Sequence, residues 1–212
     1  KIIKVLKLAL PNSFKDMSLN ASEIGTLTQY SKLILDANRG FNLIAKSTEE
    51  LIWERHIHDS AQLASLIPKD AKSFCDVGSG AGLPGLVIKI MNHSLDCFLV
   101  EPIKKKSDFL KFAAEKLGLE IVVAQERYEN IKENNILSAD VITARALMPL
   151  KDLLKLFSNS IGKGGIGIFP KGKSWEKELN DAKDLWDIKY RLVASETNKE
   201  SKIFIIEGLE EK

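Results

Sequence analysis

A run of glycines at residues 76–85 constrains this chain more than any other feature. It reads Asp-Val-Gly-Ser-Gly-Ala-Gly-Leu-Pro-Gly and overlaps the end of an apolar segment at 74–77. Glycine turns sharply at little steric cost and lets the backbone approach a ligand closely. Pro84 suits the first turn of a helix. The run therefore predicts a strand, a tight ligand-binding loop and a helix in succession.

Short apolar runs and helical stretches alternate along the rest of the chain. Strands are predicted at 74–77, 95–100, 121–124, 141–144 and 166–169, and helices at 84–91, 104–117, 149–160 and 174–186. This alternation is typical of βαβ units, in which helices cover both faces of a parallel sheet. Two further runs, 188–194 and 202–206, have no helix between them and predict an antiparallel pair. The sequence thus indicates an α/β, Rossmann-like domain over residues 71–212.

Residues 1–70 are predicted to form a helical extension packed on this domain. Within residues 1–10, apolar residues and lysines lie at helical spacing, which predicts a first helix. A second helix fits 20–37. Ser47 and Glu50 have the spacing of a capping box, which predicts a third helix that runs to about Leu66, before Pro68.

The composition restricts which classes of protein and which binding partners fit this chain. The chain has 212 residues and a formal net charge of +2, so nucleic-acid binding would need a local basic patch. No run reaches the ~18 apolar residues of a membrane helix, and no secretory signal is recognisable. We therefore expect a cytoplasmic monomer. Cys75 and Cys97 lie in apolar runs and are predicted to be buried free thiols. Two cysteines and three histidines at these spacings supply no zinc site, so no metal is expected.

The glycine run fits two kinds of cofactor. Residues 80–85 match the dinucleotide fingerprint G-x-G-x-x-G. The longer string that begins at Asp76 instead resembles motif I of the class I S-adenosylmethionine-dependent methyltransferases. A nearby carboxylate favours the second cofactor, because its amino and sulfonium groups are cationic. Glu101, at the end of the second strand, can accept hydrogen bonds from ribose hydroxyls. S-adenosylmethionine is the prediction, and a dinucleotide or a turn without ligand are the alternatives.

The residues after the fourth strand bear on the methyl acceptor. Class I enzymes that methylate an exocyclic amine usually carry an Asn-Pro-Pro-Tyr-like motif there, and methylation of a pyrimidine carbon needs a cysteine nucleophile. This chain has Thr-Ala-Arg-Ala-Leu at 143–147 and no cysteine near it. Arg145, at that edge of the sheet, is a natural donor to guanine O6 or to phosphate.

Several segments together resemble the bacterial small-subunit ribosomal RNA methyltransferase G family, also called glucose-inhibited division protein B. They lie at 38–43, 55–60, 76–85, 104–106, 109–110, 145–146 and 171–172, and the resemblance covers about residues 20–207. The His-x-x-Asp-Ser segment together with Gly-Leu-Pro-Gly is specific, since generic methyltransferases lack both. Two positions depart from the family pattern: Ile44 stands where Thr is common, and Ser201-Lys202 where an Arg is common.

The resemblance implies a reaction and a partner. The family methylates N7 of a guanine, guanine 527, in the helix 18 loop of 16S rRNA, so that RNA or the small ribosomal subunit particle is the expected substrate. It also implies that Gly78, Leu83, Arg145 and the backbone at Tyr128 and Glu129 contact S-adenosylmethionine or line its pocket.

The candidate site residues fall into a cofactor-binding set and a catalytic set. The predicted cofactor-binding residues are Asp76, Gly78, Gly80, Gly82, Leu83, Glu101, Tyr128, Glu129 and Arg145. Arg145, Arg127 and Lys171 are predicted for catalysis, with Lys173 beside them on a basic rim that meets RNA. Because guanine N7 carries a free lone pair, the reaction is predicted to need positioning and no general base.

Some interpretations stay open at this point. His56 and Asp59 lie three apart on a predicted helix. They are either a hydrogen-bonded pair that docks the extension or a contact to RNA or cofactor. A methyltransferase for another acceptor and a non-enzymatic cofactor-binding protein are the alternative functions.

Overall fold

A computed structural model describes residues 19–131 and 134–212, except the side chains of Asn134 and Asn135. The helix predicted at 1–10 lies outside these residues. Seven strands form one sheet in the order β3-β2-β1-β4-β5-β7-β6. Their bounds are β1 Ser73–Val77, β2 Asp96–Val100, β3 Val122–Ala124, β4 Val141–Thr143, β5 Ile166–Lys171, β6 Trp186–Ala194 and β7 Lys202–Glu211.

The pairing of the strands confirms the predicted fold class. Strands β1 to β5 are parallel, and β7 pairs antiparallel with both β5 and β6. Strand β1 is central, with β2 on one side and β4 on the other. The chain reverses its direction of winding at β1, and ligands bind at the carboxyl ends of the strands at such a point in α/β sheets.

Five helices accompany the sheet: α3 Gly85–Met91, α4 Lys104–Leu117, α5 Asn134–Leu137, α6 Leu150–Gly162 and α7 Trp175–Lys183. The short helix α5 was not predicted. Helix α7 ends three residues before the predicted boundary. The reason is that Trp186 begins β6, where its side chain is 8% exposed and packs in the core.

The extension contains α1, Ala21–Asn38, and α2, Asp59–Ala64. Asn20 and Glu23 form a capping box at the start of α1, at 3.0 and 2.8 Å. The capping box predicted at Ser47 and Glu50 is wrong. A short 3-10 turn, Lys46–Thr48, occupies that position, and the next helix begins with the π-helical segment Trp53–His58 that leads into α2.

The extension shares a hydrophobic core with one face of the sheet. Leu27, Tyr30 and Ile34 of α1 are fully buried and belong to the same cluster as Leu63 of α2 and Leu86 of α3. Each such side chain contributes ~1.5–3 kcal/mol when removed from water. The extension is therefore held firmly against the strand ends that carry the glycine run.

The cysteines behave as predicted, because Cys75 and Cys97 are buried and free. Within residues 19–131 and 134–212, no helix is long and apolar enough to cross a membrane. The same residues contain no cluster of three or more His, Cys, Asp or Glu that could hold a metal ion.

Candidate active site

A cleft of about 820 Å³ opens between the carboxyl ends of the central strands and the extension. Four groups of residues line it. They are the glycine loop (Gly78 to Ala81, and Leu83), the segment after β4 (Arg145 to Pro149), the extension (Leu43 to Ala45, Thr48, Arg55, His56 and Asp59), and residues near β5 and β7 (Pro170 to Gly172, Glu178, Ser195, Thr197, Asn198, Ser201 and Lys202), with Lys106 beside them.

The glycine loop has the backbone shape that the sequence predicts. Gly78 and Gly80 have φ angles of +73° and +58°, a region that favours glycine. The Gly78 amide donates to the carbonyl of Val100 at 2.9 Å, which ties the loop to the end of β2. A Cβ at Gly80 would meet no atom closer than 3.9 Å, so the space beside it belongs to the cleft.

Gly82 lies outside the lining of the cleft, and its predicted cofactor contact stays a prediction. A Cβ there would lie 2.8 Å from the hydroxyl oxygen of Tyr30. That hydroxyl donates to the carbonyl of Ala81 at 2.6 Å. Helix α1 thus braces the glycine loop, and the absence of a side chain at Gly82 makes the close approach feasible.

Asp76 lies beneath the glycine loop and does not line the cleft. One carboxylate oxygen accepts from the Thr143 hydroxyl at 2.7 Å and the other from the Gly85 amide at 3.1 Å. Burial raises the pKa of Asp76 to about 6, although these hydrogen bonds act to lower it. In the structure Asp76 joins β1 to β4 and to the start of α3.

Glu101 also points into the loop and away from the cleft lining. It is 3% exposed, and its carboxylate accepts from the Gly80 amide at 2.8 Å and the Ile103 amide at 2.9 Å. It therefore fixes the turn at Gly80. Each carboxylate oxygen can accept more than one hydrogen bond, so the predicted ribose contact stays a prediction.

The segment after β3 lies apart from the cleft. Tyr128 is buried, with its hydroxyl 3.2 Å from that of Ser160 and its ring edge-on to Phe157. Arg127 and Glu129 are exposed. None of the three predicted residues lines the cleft, so Arg127 is not brought together with Arg145.

Arg145 connects the sheet to the extension. Its guanidinium donates to Asp59 Oδ2 at 3.0 Å, and it lies 3.4 Å from His56 Nδ1. His56 and Asp59 therefore do dock the extension, but through Arg145 and not through each other. The next residue, Ala146, has φ +51°, which is uncommon for a residue with a Cβ. It turns the chain so that Leu147 packs against Gly78.

His56 is held in its neutral form. Its Nε2 lies 2.8 Å from the Thr48 hydroxyl, which itself donates to the carbonyl of Ala45. Nε2 therefore carries the proton and Nδ1 accepts from Arg145. Burial, followed by the Arg145 charge, lowers the pKa of His56 to about 4. No sequence pattern predicts that Thr48 belongs to this network.

Lys171 lines the cleft, as its predicted place at the carboxyl edge of the sheet requires. Its side chain is 8% exposed, and the ammonium donates to the Met148 carbonyl at 2.6 Å and pairs with Glu178 at 3.0 Å. Its charge is thus paired within the protein, and the predicted contact to RNA stays a prediction. Lys173 is 84% exposed and lies 3.8 Å from Glu200, outside the cleft lining.

Solved structures with the same fold define the class of protein. The pre-rRNA processing protein fibrillarin from Methanococcus jannaschii has a TM-score of 0.55 at 16% identity, over 71% of this chain and 75% of that one. A mutant of MtNAS in complex with S-adenosylmethionine has a TM-score of 0.54 at 12% identity, over 97% of this chain and 83% of that one. Sheet order and glycine loop together are those of the class I S-adenosylmethionine-dependent methyltransferase fold.

Sequence comparisons then identify the family. The family model for rRNA small subunit methyltransferase G matches residues 23–203. A relative of that name from Rhizorhabdus wittichii is 41% identical over 187 residues, which cover 85% of each chain. One from Cereibacter sphaeroides is 35% identical over 197 residues, 91% of this chain and 93% of the relative. This chain belongs to the rRNA small subunit methyltransferase G family, as the resemblance indicated.

Proposed function

We propose that this chain transfers a methyl group from S-adenosylmethionine to N7 of a guanine in the helix 18 loop of 16S rRNA. One observation carries the proposal. A single cleft joins the glycine loop of a class I methyltransferase to Arg145 and to the helical extension, within a chain whose family match spans residues 23–203. The particular nucleotide and atom follow from the family resemblance.

The cleft suits S-adenosylmethionine, which supplies an electrophilic methyl group on a sulfonium when bound. Its volume of about 820 Å³ is within the range of small-molecule sites. Gly80 leaves its side of the cleft open to a ligand, because a Cβ there would meet no atom closer than 3.9 Å. Gly78, Gly80 and Leu83 would hold the cofactor, while Glu101 and the buried Asp76 shape the loop from behind.

The cleft is built for positioning. Guanine N7 is an acceptor with no proton to lose, so no base is required. Cys75 and Cys97 lie inside the sheet, where burial raises the pKa of both thiols, and they present no thiolate to the cleft. Arg145 is a fixed donor suited to guanine O6 or phosphate, and it can hold the base in line with the methyl group.

RNA meets a cationic rim that differs from the predicted one. Arg55, Lys106 and Lys202 line the cleft together with Arg145. Many family members carry an Arg just before the last strand, where this chain has Ser201-Lys202. Lys202 therefore keeps a cation of the last hairpin at the cleft. With a net charge of +2, binding rests on a few phosphate contacts, each worth a slope of about −0.7 to −0.9 in log affinity against log salt.

Methyl transfer to purified RNAs tests the proposed function. The protein is incubated with labelled S-adenosylmethionine and with 16S rRNA, 30S subunits, 23S rRNA or transfer RNA. We expect label in 16S rRNA, as naked RNA or as particle, and background in the others. Label in 23S rRNA or transfer RNA alone would show another acceptor and overturn the proposal.

A further inference from the structure

Asp59 has an unusually complete set of partners for a residue at the wall of a cleft. Its Oδ2 accepts from Arg145 at 3.0 Å. Its Oδ1 accepts from the Thr197 hydroxyl at 2.6 Å and from the Gln62 amide at 3.0 Å. The Asp59 and Arg145 side chains are only 23% and 19% exposed. Three elements, α2, the segment after β4 and the β6–β7 loop, therefore fix one carboxylate against one guanidinium.

The charge of Arg145 acts on Asp76, beneath the glycine loop. Burial is the main cause of the raised pKa of Asp76, and the Arg145 charge is among the effects that lower it. The guanidinium also lines the same cleft as Gly78 and Gly80. His56, the other side chain beside Arg145, is neutral because burial lowers its pKa to about 4. Among the described residues, Asp59 is the carboxylate that forms an ion pair with Arg145.

A fixed cation in this cleft raises a difficulty if the proposed function is correct, and the inference rests on that function. The sulfonium of S-adenosylmethionine is positive, so a bare guanidinium nearby would repel the cofactor. We propose that Asp59 is a positioning residue that holds Arg145 against the cleft wall and cancels its charge, so that the cleft has a rigid donor without net repulsion of the sulfonium. The Arg145–Asp59 pair then acts as a neutral dipole.

Asp59 could instead only support the shape of the site. The cofactor and its product distinguish this structural role from cancellation of the Arg145 charge. S-adenosylmethionine and its product S-adenosylhomocysteine share nearly every contact, but the product has a neutral sulfur. Damage to the shape of the site should weaken both. Loss of the Asp59 charge should weaken S-adenosylmethionine more, because only that ligand carries the charge that Arg145 repels.

Titration calorimetry of both ligands, without RNA, gives the required ratio of dissociation constants. In Asp59→Asn, which keeps the size of the side chain but removes its charge and one of its two acceptor oxygens, we expect Kd for S-adenosylmethionine to rise about 3- to 10-fold more than Kd for S-adenosylhomocysteine. The matched control is Thr197→Val, which removes a hydrogen bond to Asp59 but no charge. There, both constants should change by the same factor.

Arg145→Gln gives an independent test, which stands even if Asp59→Asn does not fold. It leaves Asp59 negative and should shift the ratio in favour of S-adenosylmethionine. The double variant Asp59→Asn/Arg145→Gln is neutral at both positions and should restore the wild-type ratio to within about twofold. An unchanged ratio in Asp59→Asn, or in Arg145→Gln, would overturn the inference. Failure of the wild-type protein to bind either ligand would instead overturn the proposed function, and the inference with it.

Discussion

Residue 80 has a glycine with φ +58°, an amide that donates to Glu101 and an open face toward the cleft. We expect Gly80→Val to abolish S-adenosylmethionine binding, because the branched side chain would fill the space of the ligand. The variant also places a β-branched residue in the left-handed region, which costs at least ~1–2 kcal/mol of stability.

Gly118 supplies the matched control for that variant. It has φ +64° at the end of α4, and a Cβ there meets no atom within 4 Å. Gly118→Val should lose similar stability and keep its affinity for the cofactor. Calorimetry that finds unchanged affinity in Gly80→Val, or equal losses in both variants, would contradict the assignment of the glycine loop.

The His56→Asn variant tests the base-free mechanism, because a base with a pKa of about 4 would also give a flat rate above pH 6. A histidine base with an unperturbed pKa would give an inflection near 6.5, but burial and Arg145 lower the pKa of His56 to about 4. We expect a single-turnover rate that is flat between about pH 6 and 8 at saturating substrates. His56→Asn should keep most of that rate, whereas Arg145→Ala should lose it.

The same histidine has a predicted effect on stability. Between about pH 4 and 6.5 the unfolded chain binds a proton at His56 that the folded chain does not, so the contribution of His56 to the free energy of unfolding should rise with pH in that window. Asp76, whose pKa burial raises to about 6, contributes in the opposite direction. The wild-type free energy of unfolding minus that of His56→Asn, measured by denaturant titration, should therefore rise from about pH 4 to 6.5. A variant that unfolds normally but loses the methyl-transfer rate would argue for a catalytic histidine instead.

At the scale of elements, Lys171 and Glu178 join β5 to α7 through a mostly buried ion pair. Glu178 also accepts from the Leu150 amide at the start of α6. We expect Lys171→Met to cost about 3 kcal/mol in the free energy of unfolding, because Glu178 is left without its countercharge. Lys173→Met is the control, since Lys173 is 84% exposed. Its cost should stay within about 0.5 kcal/mol, and equal losses would contradict the assignment.

Helix α1 and the glycine loop meet at Tyr30. Removal of its hydroxyl in Tyr30→Phe leaves the Ala81 carbonyl without its donor, which should cost about 1–3 kcal/mol of stability. We also expect a severalfold loss of cofactor affinity, because the loop is held less firmly. Tyr190→Phe is a suitable control, since the described contacts of Tyr190 are made by its ring. Unchanged cofactor affinity in Tyr30→Phe would show that α1 does not support the loop.

Contacts between residues far apart in the chain are the part of this site that sequence patterns do not reveal. The glycine loop is predictable because turn chemistry acts within a few residues. The contact from Tyr30 to Ala81 and the pair between Asp59 and Arg145 join residues 51 and 86 positions apart, and no local pattern reveals them. The predicted strand ends at Phe169, before Lys171, and its pattern does not reveal the partner of Lys171. The structure extends β5 through Lys171 and buries it beside Glu178.

At the scale of the whole molecule, the extension forms one wall of the cleft. It shares a core with the sheet, supplies Thr48, His56 and Asp59 to the cleft, and braces the glycine loop. The glycine loop, the segment after β4 and the cations at the cleft therefore belong to one packed body. A nearly neutral chain can then direct its few cleft cations at a single RNA site.

The position of the transferred methyl group tests the central claim most directly. After reaction with 16S rRNA and with 30S subunits, chemical cleavage at 7-methylguanosine followed by primer extension locates the modified nucleotide. We expect one 7-methylguanosine, in the loop of helix 18, formed by the wild-type protein and absent with Arg145→Ala. A methyl group on another atom or nucleotide, or none in either form of the RNA, would contradict it.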